Sequence, residues 1–539
     1  MKTTGIASYF RTALALFLVS VTAAAQLPSS DGDRDATLQR RLMGHLSFIA
    51  SDELEGRDTP SRGLDIAARY IAAHLTRCGW TPAGDSGSFF QRIALRRTRA
   101  VAERSFITVN GRRFGYGGGF IAPPVPFSGA DLPAVYAGHG YMVRSKNIDP
   151  YKGLDLKGSV LIVSGGYPSG VGPSDFKGTS GVDFETPSGA ARAHGAAAVI
   201  VIPASSALTQ WEKNRKRYAE RGEHVVPALD GTPAAPVSIT ASSALVDALF
   251  AGESLPVASL ASESAADSVA PFRLSSALRL GITLSVETDT QYTSNIVARL
   301  PGADAVLSSE HVALSAHYDH VGTGTPVNGD SIYNGADDDG SGAAALLALA
   351  ESFADAPRPK RSLLFIWHTG EEKGLWGSKY FTRFPTVPLS TVTTLVNMDM
   401  IGRSRTERTP ERSRNDVSAS DEIFVIGSRM QSAELGRLVE ESNRSASSLR
   451  LNYRFDSPDD PQRLYDRSDH INYAKKGVPI VFFFDGLHEN YHSVDDETDR
   501  IDAVKYEKVV RTVRALAARL ANRTHRPAVE RQEPNSGME

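Results

Sequence analysis

The chain has 539 residues, 41% of them hydrophobic and 22% charged, with a formal net charge of −3 and one cysteine. That length exceeds one ordinary core, so two folding units, or one large unit with an insertion, are expected. A near-neutral balance without a basic stripe argues against a nucleic-acid partner, and Cys78 alone cannot close an intramolecular disulfide, so the core must hold the fold, with metal as an optional addition.

The first 25 residues carry Lys2 and Arg11, an apolar stretch from Ala13 to Val21, and small residues ending at Ala25. This three-part pattern predicts a signal peptide cleaved after Ala25, because the apolar stretch is too short to span a bilayer. No other apolar run approaches ~18 residues, so stable membrane insertion is not expected. An exported protein, periplasmic or secreted, is the expectation. Residues 30–122 read as the N-terminal part of a catalytic unit. "ATLQRRLMGHLSFIASDELEGRD" and "SRGLDIAARYIAAHLTRCGW" have apolar residues at helical spacing, and "SFITVNGRRFGYGGG" is β-like with an Asn-Gly turn. Residues 123–275 change texture. "LKGSVLIVSGG" reads as a buried strand, "SGAARAHGAAAVIVIPASS" as a small-residue helix feeding a strand, and 241–268 is rich in Ala and Ser. An inserted α/β domain of about 150 residues is predicted there.

From 280 to 522 strands and helices alternate. "SNIVARLPG" and "HVALSAHYDH" read as strands, followed by a helix over 341–355. The strand "RSLLFIWHTGEE" precedes the helix "GLWGSKYFTRF", and the strand "TTLVNMDMIG" precedes the helix "SAELGRLVEESNRSA". The strand "VPIVFFFDG" and the helix "AVKYEKVVRTVRALAARLANR" complete the series. Such alternation predicts an α/β fold with a mostly parallel central sheet flanked by helices. Ligands of such sheets sit outside the carboxyl ends of the strands. The stretch 403–416 has mixed charge and reads as a solvated loop; 523–539 is polar and reads as a flexible tail.

The side chains with chemistry gather at that edge. His317 and Asp319 end a strand, on positions that point the same way. Asp338 opens a helix, Glu371 and Glu372 follow a strand, Asp399 ends a strand, and Tyr491 and His492 lie in a loop beyond the last strand. Seven of the thirteen histidines fall between 311 and 492, which favours a metal site over scattered core histidines. Two imidazoles with several carboxylates and no thiolate suit Zn²⁺, and one shared carboxylate would allow a pair of ions. The run Asp337-Asp338-Asp339 is the natural source of that shared group. Only one of the three need be a ligand, and an exposed Asp run at a helix start would also suit the helix dipole. Because consecutive loop residues diverge, Glu372 can ligate while Glu371 takes and returns the proton of an attacking water. Tyr491 can donate to a developing oxyanion. His320, His368, His470 and His488 read as structural or orienting groups.

"AHYDH", "NGADDDGSG", "HTGEEKGLWGS", "NMDMIG", "SDHINYAKKGVP" and "YHSVDDETD", in that order, resemble the co-catalytic di-zinc exopeptidase family that includes bacterial leucyl aminopeptidases, glutamate carboxypeptidase and glutaminyl cyclases. The resemblance covers about 290–500, and "FIASDELEGRDTPSRGLDIAARYIAAHL" is similar to the family's N-terminal stretch. It implies two zinc ions per chain, with His317 and Asp399 on one, Glu372 and His492 on the other, and Asp338 bridging. It also implies Asp319 behind His317, Glu371 as the base, and a protease-associated domain as the insertion. The function implied is an aminopeptidase acting on peptides through a metal-bridging water activated by a glutamate. Carboxypeptidase or glutaminyl cyclase chemistry on the same scaffold is the alternative, and a peptidase-like binding protein without chemistry is the rival of a different class.

Overall fold

The computed structural model describes residues 31–530 apart from 205–207, 230–235, 255–256, 258–259, 261–265, 408 and 412–413; the expected signal peptide lies outside the described residues. A ten-stranded sheet forms from β1 (Thr81–Pro82), β2 (Phe90–Ala100), β3 (Glu223–Val225), β4 (Val286–Leu300), β5 (His311–His317), β6 (Ser362–His368), β7 (Val392–Met398), β8 (Glu422–Ile426), β9 (Arg450–Asn452) and β10 (Ile480–Phe484). Its order is β3-β2-β4-β6-β5-β7-β10-β8-β9, with β1 beside β4. β6, β5, β7 and β10 run parallel to one another, whereas β4 is antiparallel to β6 and β8 to β10. The α/β class holds, with parallel pairing concentrated at the centre and antiparallel strands outside it.

Every residue of β5, β6, β7 and β10 is buried, which explains their unbroken apolar runs: both faces need cover. Successive side chains go to opposite faces. Leu363, Phe365 and Trp367 join a core with helices α1 (Asp31–Ile49), α2 (Arg62–Arg77), α3 (Gly342–Ala354), α5 (Ala433–Ala446) and α7 (Ala503–Asn522). Leu364 and Ile366 join the opposite core with α4 (Trp376–Arg383) and α6 (His470–Ala474). α3, "GAAALLALAESFA", sits so deep that its residues from Gly342 to Ala350 are all buried.

A second core lies in smaller sheets. Ala134–Tyr136, Val160–Ser164, Ala198–Ile202 and Ser238–Ala241 pair in parallel within a six-stranded sheet. The hairpin of Phe106–Val109 with Arg112–Gly115 pairs onto Leu280–Leu284. Ile107, Val109, Phe114, Leu280 and Ile282 pack with Ile162 and Ile200 in that core, so it begins before the expected Pro123 and ends after 275. β2 and β4 form the ribbon between the two cores, paired from Phe90–Ile296 out to Ala100–Val286. The far half of this ribbon has exposed side chains on both faces, so "VETDTQYT" shows no alternation from which a strand could be predicted.

The expected flexible tail is held over its described part. The Glu530 backbone N–H donates to the Gln431 carbonyl at 2.9 Å, that of Ala528 to Glu434 Oε2 at 2.9 Å, and Arg526 Nε lies 2.9 Å from Glu310. Among the described residues, no helix is long and apolar enough to cross a membrane.

Candidate metal centre

The three consecutive aspartates are buried, not exposed, and each has a separate task. Asp339 Oδ2 accepts the His317 N–H at 3.0 Å, while its Oδ1 accepts the N–H groups of Gly342 at 2.9 Å and Met400 at 3.2 Å. One carboxylate thereby joins the end of β5, the start of α3 and the loop after β7. Asp337 Oδ1 accepts the Gly402 N–H at 2.7 Å, and its Oδ2 lies 3.3 Å from His488 Nε2. Asp496 Oδ2 accepts both the Asp337 and Asp338 N–H groups at 3.1 Å. With its neighbours so engaged, Asp338 faces the centre.

The two oxygens of Asp338 serve different sides. Oδ1 is 3.2 Å from His317 Nε2, which is itself 3.6 Å from Asp399 Oδ1. Oδ2 is 3.1 Å from His492 Nε2, which lies 3.0 Å from Glu372 Oε1. His320 joins the second side, with Nδ1 2.9 Å from Glu372 Oε1 and 3.7 Å from Asp338 Oδ2. Donor atoms of His317, Asp338 and Asp399 thus form one set, and those of His320, Asp338, Glu372 and His492 another, each set lying within 4.8 Å. The five residues singled out in the sequence come together, and a sixth joins them.

The donors fit cations. Asp338 Oδ2, Glu372 Oε1, His492 Nε2 and both His320 ring nitrogens are buried without an aligned hydrogen bond, an arrangement that calls for a ligand. Electrostatics agree. Burial alone would raise Asp338, yet His317 and His492 hold its carboxyl well below the usual range. Burial would lower His492, yet Asp338 and Glu372 push it up to about 10. Positive charge is what these carboxylates demand, and two ions would supply it without protonating the rings.

Three further candidates from the sequence lie beside this cluster. Glu371 lines the cleft with its Oε2 4.0 Å from His317 Nε2, and burial, reinforced by Asp399, Glu372 and Asp469, raises its carboxyl well above the ordinary value. Asp319 meets His317 through its backbone carbonyl, 3.1 Å from Nδ1, with its carboxylate Oδ1 farther off at 3.8 Å. Oδ1 of that carboxylate accepts the Glu371 N–H at 3.1 Å and Oδ2 the Thr59 hydroxyl at 3.0 Å, so it places the base. The Tyr491 ring stacks on His492 with centroids 3.9 Å apart, and burial together with nearby carboxylates keeps its hydroxyl protonated. Met400, Leu464, Phe482, Phe484 and Leu487 give the cleft an apolar wall, with Arg467 beside them.

His368, His470 and His488 contact Tyr473, the Tyr465 carbonyl and Asp337 respectively; His320 lies among the donors of the cluster. Arg57 is a residue the sequence reasoning missed. Its guanidinium is fully buried and donates to the carbonyls of Tyr318 at 2.9 Å, Ile49 and Asn334 at 2.6 Å and Gly335 at 3.0 Å. Its own carbonyl accepts the His320 N–H at 3.1 Å. The signal available was a lone arginine in "LEGRD", in the segment similar to the family's N-terminal stretch.

Residues 295–517 match the model of peptidase family M28. A "Probable zinc metalloprotease" of Pyricularia oryzae is 30% identical over 260 residues, covering 42% of this chain and 50% of the relative. A "probable leucine aminopeptidase 2" of Aspergillus oryzae is 26% identical over 234 residues, covering 43% and 42%. The chain therefore spans half or less of the length of these relatives. The structure of an aminopeptidase from Aneurinibacillus sp. strain AM-1 superposes with a TM-score of 0.50 over 93% of this chain and 98% of that one, at 18% identity, and so shares the fold. The comparisons overturn one expectation. A relative 36% identical over 103 residues, 19% of this chain and 9% of its own, is a "Vacuolar membrane protease" of Clavispora lusitaniae, a location at odds with the periplasmic or secreted one read from the N-terminus.

Proposed function

We propose that the chain is a zinc-dependent exopeptidase, an aminopeptidase that releases N-terminal residues from peptides with two zinc ions per chain. The observation that carries this reading is the division of Asp338, one carboxylate oxygen facing His317 and Asp399 and the other facing Glu372 and His492. The first pair would hold one ion and the second the other, with Asp338 touching both. Zinc supplies Lewis acidity toward the scissile carbonyl and makes a water easier to deprotonate.

The remaining steps belong to the chain. Glu371, oriented through its backbone by Asp319, would take a proton from the attacking water and return it to the leaving amine. A carboxyl raised by burial suits a group that must hold that proton between the two events. The Tyr491 hydroxyl would donate to the oxyanion as it forms. The apolar wall of Met400, Leu464, Phe482, Phe484 and Leu487 would receive an apolar side chain of the substrate. We further propose that the segment around the second core is an inserted protease-associated domain.

One observation favours a second reading. Arg467 lines the cleft, and a guanidinium there could grip a substrate carboxylate, as a carboxypeptidase needs. Free-amine and N-blocked peptides assayed in parallel separate the two. The aminopeptidase reading expects cleavage only of free-amine substrates, with apolar first residues preferred, and turnover lost to a chelator and restored by zinc. Cleavage confined to blocked peptides would replace it.

A further inference from the structure

Among the described residues outside the five expected ligands and the base, one buried imidazole has surroundings that neither packing nor an aligned hydrogen bond explains. His320 is 0% exposed, and neither ring nitrogen makes an aligned hydrogen bond, although Nδ1 lies 2.9 Å from Glu372 Oε1. A buried polar group left in that state is destabilising unless something else satisfies it. The other buried histidines of the catalytic half show the contrast: His368 reaches the Tyr473 hydroxyl at 3.1 Å and His470 the Tyr465 carbonyl at 2.8 Å.

The position of the ring is enforced. The backbone N–H of His320 is tied to the Arg57 carbonyl. Gly335, at φ +57°, faces the ring so closely that a Cβ there would stand 2.5 Å from His320 Cγ and Cδ2. The fold therefore reserves space for this imidazole and aims Nδ1 at the oxygens of Glu372 and Asp338.

Resting on the metallopeptidase reading, we propose that His320 is a sixth metal-binding residue, which closes the Glu372–His492 position with a fourth protein donor and makes the two metal positions unequal. The distances support this. Zinc bonds of roughly 2.0–2.1 Å in a tetrahedron put donors roughly 3.3 Å apart. Four contacts among His320 Nδ1, Asp338 Oδ2, Glu372 Oε1 and His492 Nε2 are 2.9, 3.0, 3.1 and 3.7 Å. Across the bridge three donors gather among the described residues, those of His317, Asp338 and Asp399, and the second oxygen of Asp399 is engaged by the Ser468 hydroxyl at 2.6 Å. Structural zinc positions are closed by four protein ligands, whereas catalytic ones keep a place open. The ion beside His320 is then the tightly kept one. The ion beside His317, which faces Glu371, is the one that exchanges and meets substrate.

Zinc K-edge absorption of the intact zinc-loaded chain tests this without a substitution. Three imidazoles shared between two ions are expected, falling to two in His320→Ala. In a chelator titration followed by elemental analysis, the wild-type chain should release its ions in two separate steps. His320→Ala should lose its more tightly held ion at a chelator concentration at least about tenfold lower, since even an outer-shell partner is worth 10–100-fold in affinity. His368→Gln, a substitution of a buried imidazole outside the cluster, should leave both steps in place. Two imidazoles in the wild-type chain, or unchanged release from His320→Ala, would overturn the sixth ligand while leaving the metallopeptidase reading intact. A wild-type chain that takes up no zinc would overturn both.

Discussion

Glu371 and Glu372 are neighbours with opposite electrostatics. Two histidines draw the net value of Glu372 down despite burial, whereas burial and surrounding carboxylates drive Glu371 up. The pair therefore separates into an anion suited to holding a cation and a carboxyl suited to carrying a proton. Glu371→Gln keeps the shape and removes the proton carrier. It should retain both zinc ions by elemental analysis yet lose about 10²–10⁴-fold in turnover on aminoacyl p-nitroanilides, and near-normal turnover would refute the assignment of the base. At this scale the sequence was legible where residues come in fixed motifs: His317, Asp338, Glu372, Asp399 and His492 were all found, and the structure brings them together. His320 and Arg57 were not found, because nothing in a linear pattern says that an imidazole three positions past His317 turns inward. The resemblance placed Asp319 behind His317, and its carboxylate, with Oδ1 3.8 Å from His317 Nδ1, also accepts the Glu371 N–H.

Elements converge on the site through backbone ties. Asp339 binds the ends of β5 and β7 to the start of α3, and Arg57 binds the segment before α2 to the loops at Tyr318 and Asn334–Gly335. Arg57→Met would leave four buried carbonyls short of a charged donor. A loss of about 3 kcal/mol or more is expected in denaturant unfolding, together with weaker zinc retention; a change below about 0.5 kcal/mol would show that these contacts do not hold the loops. The central strands were readable because burial on both faces demands unbroken apolar runs. β2 and β8 were not predicted and only the inner half of β4 was, for different reasons. The outer half of β4 is a two-stranded ribbon whose exposed faces carry pairs such as Arg97 with Asp289, while β8 is a five-residue strand whose type depends on its neighbour β10.

Across the molecule, acid sensitivity follows from buried neutral histidines. Burial pushes His311 and His470 down to about 4. The His470 ring meets the Tyr465 carbonyl with one nitrogen and the Asn397 amide with the other. In the unfolded chain such rings take up protons below about pH 6.5, while in the folded chain they do so only near 4. Their stability contribution is therefore complete above pH 6.5 and is lost as pH falls from 6.5 toward 4. Melting of the metal-free wild-type chain should fall relative to that of His311→Gln as pH drops across that window; a difference that does not change with pH would reject the contribution of His311. The two-core layout was only partly legible. The inserted α/β texture showed in the run "VLIV", but the hairpin from Phe106 was assigned to the wrong core, because its partner Leu280–Leu284 lies more than 150 residues away in the chain.

The number of ions that depend on Asp338 decides whether the centre is paired, and counting bound zinc by elemental analysis in Asp338→Ala and Asp399→Ala measures it. If one carboxylate serves both positions, the first variant should lose or weaken both ions together, and the second should give up only one. Two firmly held ions in Asp338→Ala would contradict a shared carboxylate, and with it the paired-metal centre.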